Sequence, residues 1–235
     1  QSKHYNTIEM NCYWHHFDND GDGIPDKSLK PLNRLIEAIY KRGMFPCLSV
    51  ETYSVGGGQI PSGFWARYPN AHAIDNYGNK VKDTEYGFET NVVSIFHPMY
   101  RSTVREFIKN IATGIDTKKI LYFETTVEPQ YMGTRTICYS EYARSTYNAW
   151  RNQNNREDSA SQMPADFPVP VNFIENETWN TFRAQSLAQW INDDAAAYRE
   201  IAGDNAYIAV DYLDAMEEQQ SNRVGDPVVF LSYLT

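Results

Sequence analysis

The amino-acid sequence predicts an α/β protein in which helices cover a parallel β-sheet. Short apolar runs with the length of buried strands alternate along the chain with longer segments whose apolar residues recur at helical spacing. This alternation is typical of parallel sheets, because each strand must return to the same end of the sheet through a crossover helix. No repeat or linker-like stretch interrupts the 235 residues, so a single domain spanning 1–235 is expected.

Nine elements are predicted in chain order. The strands are predicted over residues 5–14, 44–50, 119–127, 206–210 and 228–231. The helices are predicted over residues 28–42, 98–115, 141–153 and 176–202, each from apolar residues at helical spacing or from its end signals. The loop over residues 51–97 is long for a plain connection, which suggests a functional surface.

Composition excludes several classes of protein. The chain has 21 Lys and Arg against 30 Asp and Glu, a net charge of −9, so it lacks the basic balance of a nucleic-acid-binding protein. No apolar stretch approaches the roughly 18 residues that a membrane span requires. No charged-then-apolar leader is visible in the first residues, so we expect either a cytoplasmic protein or one whose signal was removed before them. The three cysteines Cys12, Cys47 and Cys138 are far apart and are expected to be buried free thiols.

Two carboxylates at the end of the third predicted strand are the first functional signal. Glu124 and Glu128 follow an apolar, aromatic run, and Pro129 cannot extend a central strand. A carboxylate at the end of a buried strand is costly unless it is paired or used, and catalytic groups of parallel barrels lie at the strand C-termini. We therefore predict Glu128 as a catalytic acid/base; the alternative is a surface glutamate. Glu124 lies deeper on the same strand face and is expected to pair with a buried arginine.

The acidic loop after the first strand is the sharpest local motif. Carboxylates alternate along residues 18–26, a glycine supplies a sharp turn, and a backbone carbonyl occupies the seventh position, as in a calcium loop. The twelfth position is Leu29 rather than a bidentate glutamate. The pattern predicts a structural calcium ion held by Asp18, Asp20, Asp22, the carbonyl of Ile24, and Asp26. No catalytic cofactor is expected.

Several blocks, taken in order, resemble the catalytic barrel of the family 42 glycoside hydrolases, bacterial β-galactosidases of clan A. The blocks are Tyr5-Asn6-Thr7-Ile8-Glu9, Asp22-Gly23-Ile24-Pro25-Asp26, Trp65-Ala66-Arg67-Tyr68-Pro69, His97-Pro98-Met99-Tyr100-Arg101, Val127-Glu128-Pro129 and Cys138-Tyr139-Ser140-Glu141-Tyr142. The resemblance implies a (β/α)₈ TIM barrel of which this chain covers roughly strands 2 to 6. It also implies that the nucleophile, a glutamate ending the seventh strand, lies outside these residues.

Three departures separate this chain from the family pattern. Val127 stands where the clan has an asparagine before the acid/base. Of the zinc-binding cysteines found in part of the family only Cys138 remains, with Ser140 and Ala143 where further thiols would lie. The loop after the second barrel strand is enlarged.

The resemblance implies a retaining glycoside hydrolase acting on a β-linked, galactoside-like substrate or another plant or algal oligosaccharide or polysaccharide. The residues expected to contact this sugar follow strand ends or lie in the long loop: Trp14, His15, Glu51, Trp65, Tyr131, Asp211 and Tyr233. We expect a bacterial protein, secreted or periplasmic rather than cytoplasmic, with no nucleic-acid or membrane partner; homo-oligomerisation is left open. The alternative function is a carbohydrate-binding barrel without catalysis.

Overall fold

The computed structural model describes residues 5–53, 59–84, 89–132, 137–156, 159–211 and 223–235. Its strands are β1 (Thr7–Tyr13), β2 (Phe45–Glu51), β3 (Lys82–Asp83), β4 (Thr90–Asn91), β5 (Phe123–Glu124) and β6 (Ile208–Ala209). Its helices are α1 (Trp14–Phe17), α2 (Lys30–Tyr40), α3 (Ser62–Arg67), α4 (Pro98–Thr113), α5 (Glu141–Gln153), α6 (Val171–Ile174), α7 (Glu177–Ala202) and α8 (Pro227–Tyr233).

Four strands form a parallel sheet in the order β1-β2-β5-β6, and at least one helix lies between successive strands along the chain. Neighbours in the sheet are thus successive strands of the parallel set, as in a section of a barrel wall. The predicted parallel α/β architecture is confirmed. Strands β3 and β4 form a separate antiparallel pair within the long loop, which the sequence did not predict.

Side-chain alternation gives the parallel sheet one apolar face. Its buried residues are Met10, Cys12, Leu48, Val50 and Phe123. Helices α2, α4 and α7 supply the apolar residues that join them in the core: Leu32, Ile36, Ile39, Val104, Phe107, Ile108, Leu187, Trp190 and Tyr198. The ring of Phe123 stacks on that of Tyr198 at 4.1 Å between centroids, which ties β5 to α7.

The four predicted helices are confirmed to within a few residues at each end. Asn176, for example, caps α7 by accepting hydrogen bonds from the backbone N–H groups of Thr178 and Trp179. The three cysteines are free and buried, as predicted. None of the described helices is long and apolar enough to cross a bilayer.

The predicted strand over residues 228–231 is wrong, because this segment lies in helix α8. The side chain of Asp226 accepts hydrogen bonds from the N–H groups of Val228 and Val229, and Pro227 occupies the first helical turn. Asp at the N-cap followed by Pro is a strong helix-start signal, and it outweighs the strand propensity of the apolar run. Strand β5 is also shorter than predicted, since residues 117–119 form a 3₁₀ turn.

Replacing Phe123 by alanine is expected to destabilise the protein by about 3–5 kcal/mol, because a fully buried aromatic side chain leaves a cavity between sheet and helix. Urea unfolding monitored by circular dichroism measures the change. Val228→Ala, at a side chain that is 77% exposed, is the control and should change the unfolding free energy by less than about 0.5 kcal/mol. Equal unfolding midpoints for the two variants would contradict the assigned core.

Candidate active site

The second face of the parallel sheet is polar and acidic. Strand register places Glu9 beside Cys47, Asn11 beside Ser49, Tyr13 beside Glu51, and Ser49 beside Glu124, so these side chains share one face. We call this surface the acidic face and define it by Glu9, Asn11, Tyr13, Cys47, Ser49, Glu51, Tyr122, Glu124 and Asp211. None of the four strands carries a lysine or arginine.

Glu51 ends β2 and is only 1% exposed. Ser49 Oγ donates a hydrogen bond to Glu51 Oε1 at 2.7 Å, and the backbone N–H of Val127 donates to Oε2 at 3.3 Å. Burial raises the pKa of the Glu51 carboxyl, these hydrogen bonds oppose the rise, and the charges of Glu9 and Asp211 add to it. Glu51 therefore connects the end of β2 to the segment that carries Glu128.

Glu124 is 4% exposed on β5, directly beside Ser49. Burial raises its pKa to about 7; the nearby Ser49 hydroxyl opposes the rise, whereas the charges of Glu9, Glu51 and Asp211 reinforce it. The predicted ion pair with an arginine finds no partner among the described residues, because none of their Lys or Arg side chains pairs with this carboxyl. Its partners are a hydroxyl and other acids.

Glu128 lies four residues beyond the end of β5 and is partly exposed. Its backbone φ is +47°, a left-handed conformation that is uncommon for a residue other than glycine. Backbone strain of this kind concentrates at functional sites, where surrounding contacts must hold it. The acid/base role of Glu128 stays a prediction, and the hydrogen bond from Val127 to Glu51 shows one contact that holds its segment.

Tyr13, His15 and His16 form an aromatic cluster at the end of β1, where Tyr13 is paired with Glu51. The two histidine rings lie 4.1 Å apart, and the Tyr13 ring is 5.3 Å from that of His16. Burial and then the neighbouring His16 lower the pKa of His15. Of the predicted sugar contacts, His15 thus lies near the acidic face together with Glu51 and the exposed Asp211, which follows β6.

Trp14 and Tyr131 are core residues, so the structure does not support their predicted contact with substrate. Trp14 is fully buried and donates its indole N–H to Asp18 Oδ2 at 2.8 Å. Tyr131 is 1% exposed, its hydroxyl donates to the carbonyl of Arg183, and the Arg183 guanidinium covers its ring at 4.6 Å. Neither side chain is accessible to a ligand, because the surrounding elements cover both.

Trp65 and Tyr233 also lie in other environments than predicted. Trp65 stacks on His72 with ring centroids 4.5 Å apart, an arrangement that packs the long loop down. Tyr233 ends helix α8 rather than a strand, and it lines a groove of about 520 Å³ with Phe96 and Trp150 of the helical layer. The structure does not bring Tyr233 to the acidic face.

Sequence reasoning missed Tyr13, Ser49 and Glu9 as members of this face. Each occupies an odd-numbered strand position, in step with Glu51 across the β1–β2 register. Period-two alternation was available as a signal, but the partner strand and its register come only from the fold.

In the acidic loop, the carboxylates of Asp18, Asp20 and Asp22 converge. One oxygen of each lies within 4.8 Å of the others. Asp18 is buried, and each of its oxygens accepts two hydrogen bonds: Oδ1 from the N–H groups of Gly21 and Asp22, and Oδ2 from the N–H of Gly23 and the Trp14 indole. Burial raises the pKa of the Asp18 carboxyl. The hydrogen bonds that it accepts oppose this rise, and contact with Asp20 adds to it.

Of the rest of the predicted calcium set, Asp26 lies outside the converging group, and its Oδ2 accepts the N–H of Asn19 at 2.7 Å. The N–H of Ile24 donates to Asp22 Oδ1, and its carbonyl stays a predicted ligand. The calcium site stays a prediction, which the convergence of Asp18, Asp20 and Asp22 supports.

The fold is similar to that of several solved glycoside hydrolases. It matches a β-galactosidase from Bacillus circulans sp. alkalophilus with a TM-score of 0.63 at 17% identity, over 87% of this chain and 32% of that one. It matches a GH42 exo-carrageenase from Bacteroides ovatus with a TM-score of 0.55 at 13% identity, over 89% of this chain and 28% of that one. It also matches the catalytic domain of a β-amylase from Paenibacillus polymyxa with a TM-score of 0.63 at 13% identity, over 97% of this chain and 67% of that one.

These likenesses show the fold: the chain has the architecture of part of a TIM barrel. It spans about a third of the length of the matched β-galactosidases. No family model and no curated protein sequence matches the chain.

Calcium is expected to raise the thermal unfolding midpoint of protein first treated with a chelator, because a ligand that binds only the folded state stabilises it. Differential scanning calorimetry with and without calcium measures the shift. The double variant Asp20→Asn/Asp22→Asn should lose it, whereas Asp166→Asn, at an exposed site outside the loop, should keep it. A calcium response that survives in the double variant would contradict this site.

Proposed function

We propose that this chain is the central part of a retaining glycoside hydrolase that cleaves a β-linked glycoside, with Glu128 as the acid/base and the nucleophile outside these 235 residues. The observation that carries the proposal is the contact between Val127 and Glu51, which holds the Glu128 segment at the carboxyl end of a parallel sheet. This end is where parallel α/β barrels place their catalytic groups.

The mechanism requires two carboxyl groups about 5–5.5 Å apart. Glu128 would protonate the leaving glycosidic oxygen, and a second carboxylate would attack the anomeric carbon. Glu128 would then remove a proton from the water that hydrolyses the glycosyl-enzyme intermediate. Glu51 and Glu124 are too buried to approach a sugar as nucleophiles in this structure, so we assign them supporting roles.

The charge of the acidic face favours a neutral sugar. The transition state of glycoside cleavage carries positive charge on the sugar ring, and nearby carboxylates stabilise positive charge. An anionic, sulfated sugar would be repelled, because no strand of the sheet carries a lysine or arginine. The similarity to a β-galactosidase supports a galactoside-like substrate or another plant or algal oligosaccharide.

A carbohydrate-binding barrel without catalysis is the second candidate. The feature that favours it is Val127, whose side chain cannot donate the hydrogen bond that the clan's asparagine offers to the sugar. Such a protein would bind an oligosaccharide and leave it intact.

Glu128→Gln in the full-length protein tests the catalytic proposal. Loss of the acid/base should lower kcat/KM for a natural oligosaccharide by about 10²–10⁴-fold. An aryl glycoside with a good leaving group should be affected less in the bond-breaking step, because its leaving oxygen needs little protonation. Product anomers followed by NMR should show retention in the unaltered protein.

Glu175→Gln is the matched control, since Glu175 is exposed and lies outside the sheet. It should leave hydrolysis unchanged. Unaltered oligosaccharide cleavage by Glu128→Gln would exclude Glu128 as the acid. Binding without any hydrolysis by the unaltered full-length protein would instead support the second candidate.

A further inference from the structure

We propose that Glu124 is a protonated positioning residue that acts through Ser49 and Glu51 to hold the segment carrying Glu128. This inference rests on the proposed function, in which Glu128 is the acid/base. It adds a row of three buried side chains, Glu124 on β5 and Ser49 and Glu51 on β2, behind the segment that carries the acid/base.

The number of available protons supports this arrangement. Ser49 is fully buried between Glu51 and Glu124, and its hydroxyl has one proton to donate. It donates that proton to Glu51 Oε1 at 2.7 Å. Ser49 therefore has no proton left for Glu124, whose Oε2 is buried without a hydrogen-bond partner among the described residues. A buried carboxyl without a donor favours its protonated form, which is able to donate to Ser49 Oγ.

The surroundings favour the same protonation state. Among the described residues, the charged groups that act on Glu124 are all acids: Glu9 on β1, Glu51 at the end of β2 and Asp211 after β6. Cys47 on β2 and Tyr122, which precedes β5, share the same face and contact each other and Glu9. Two buried carboxylates without a basic partner repel each other, which pushes the proton onto one of them. The pKa of Glu124, raised chiefly by burial to about 7, agrees with its holding that proton.

The second carboxylate oxygen of Glu51 connects this pair of glutamates to the segment that carries Glu128. This oxygen, Oε2, accepts the N–H of Val127, the residue before Glu128. The left-handed backbone of Glu128 is unfavourable without such support. If Glu124 loses its proton, Ser49 must divide one proton between two carboxylates, and the hold of Glu51 on this segment weakens.

The first test measures protonation without any substrate. A folded-state pKa near 7, above the usual value for glutamate, means that the folded state binds more protons between these two values. Stability should therefore fall as the pH rises from about 5 to 8. Asp194, whose pKa burial raises to about 8, adds its own fall over the same range. Glu124→Gln, whose amide donates to Ser49 at every pH, should show a smaller fall in the urea midpoint than the unaltered protein, and the control Glu175→Gln should keep all of it.

Persistence of the full pH-dependent fall in Glu124→Gln would overturn the proposal. Should that variant not fold, NMR titration of ¹³C-labelled glutamate carboxyls in the unaltered protein replaces it. One carboxyl titrating near 7 supports the protonated state, and none above about 5.5 overturns it.

The second test examines positioning. Glu51→Leu removes the acceptor for Val127 and should lower kcat by roughly 10–100-fold with little change in KM, because a small displacement of the acid/base is costly. Glu51→Gln should restore most of kcat, since its amide oxygen can accept the Val127 N–H while its NH₂ donates to Ser49. Equal kcat losses in both variants would overturn the positioning role.

The two proposals fail in different ways. If Glu128→Gln hydrolyses the oligosaccharide normally, the catalytic assignment is wrong, whatever the stability profile of Glu124→Gln shows. If Glu128→Gln is inactive while Glu124→Gln keeps the full pH-dependent fall, the acid/base assignment stands and the protonated Glu124 is wrong.

Discussion

Side-chain alternation along four parallel strands constrains everything else in this molecule. The apolar set that includes Met10, Leu48 and Phe123 must face the helices, because burying it supplies most of the driving force for folding. The intervening residues then face the opposite way in fixed register. A slip of one residue would bury Glu51 and Glu124 among apolar side chains, so core packing also enforces the acidic face.

Hydrogen bonds replace water around the buried Glu51, whereas Glu124 Oε2 is buried without a partner among the described residues. Ser49 and the Val127 backbone satisfy Glu51, and Ser49 also contacts Glu124. No strand offers a basic residue that would neutralise them. The same local chemistry therefore raises carboxyl pKa values and anchors the Glu128 segment, two properties on which the proposed function depends.

The acidic loop is fastened to the same end of the sheet. The Trp14 indole, buried beyond the end of β1, donates to Asp18, and Gly63 lets α3 approach the backbone of Asp20, where a Cβ atom would meet the carbonyl oxygen at 2.3 Å. The buried Trp14 thus holds both the acidic loop, through Asp18, and the adjacent residue His15. A cation bound by the loop would stabilise the strand end rather than take part in catalysis.

The errors of sequence-based prediction have identifiable physical causes. The apolar run over residues 228–231 has strand propensity, but the cap formed by Asp226 starts a helix. Trp14 follows a strand end, yet its ring turns into the core against Phe64 and Phe107. The direction in which a side chain points depends on the elements that pack around it, and the local sequence does not contain this information.

The sequence by itself determined the alternation of strands and helices, the bounds of the long helices, the buried thiols and the acidic residues at strand ends. These follow from periodicity, caps and the cost of burying charge, all of which are local. Only the tertiary structure decided that Ser49 lies between Glu51 and Glu124, and that Val127 is held by a residue 76 positions earlier. Register between distant strands sets these contacts, because it is chosen by packing of the whole sheet against its helices.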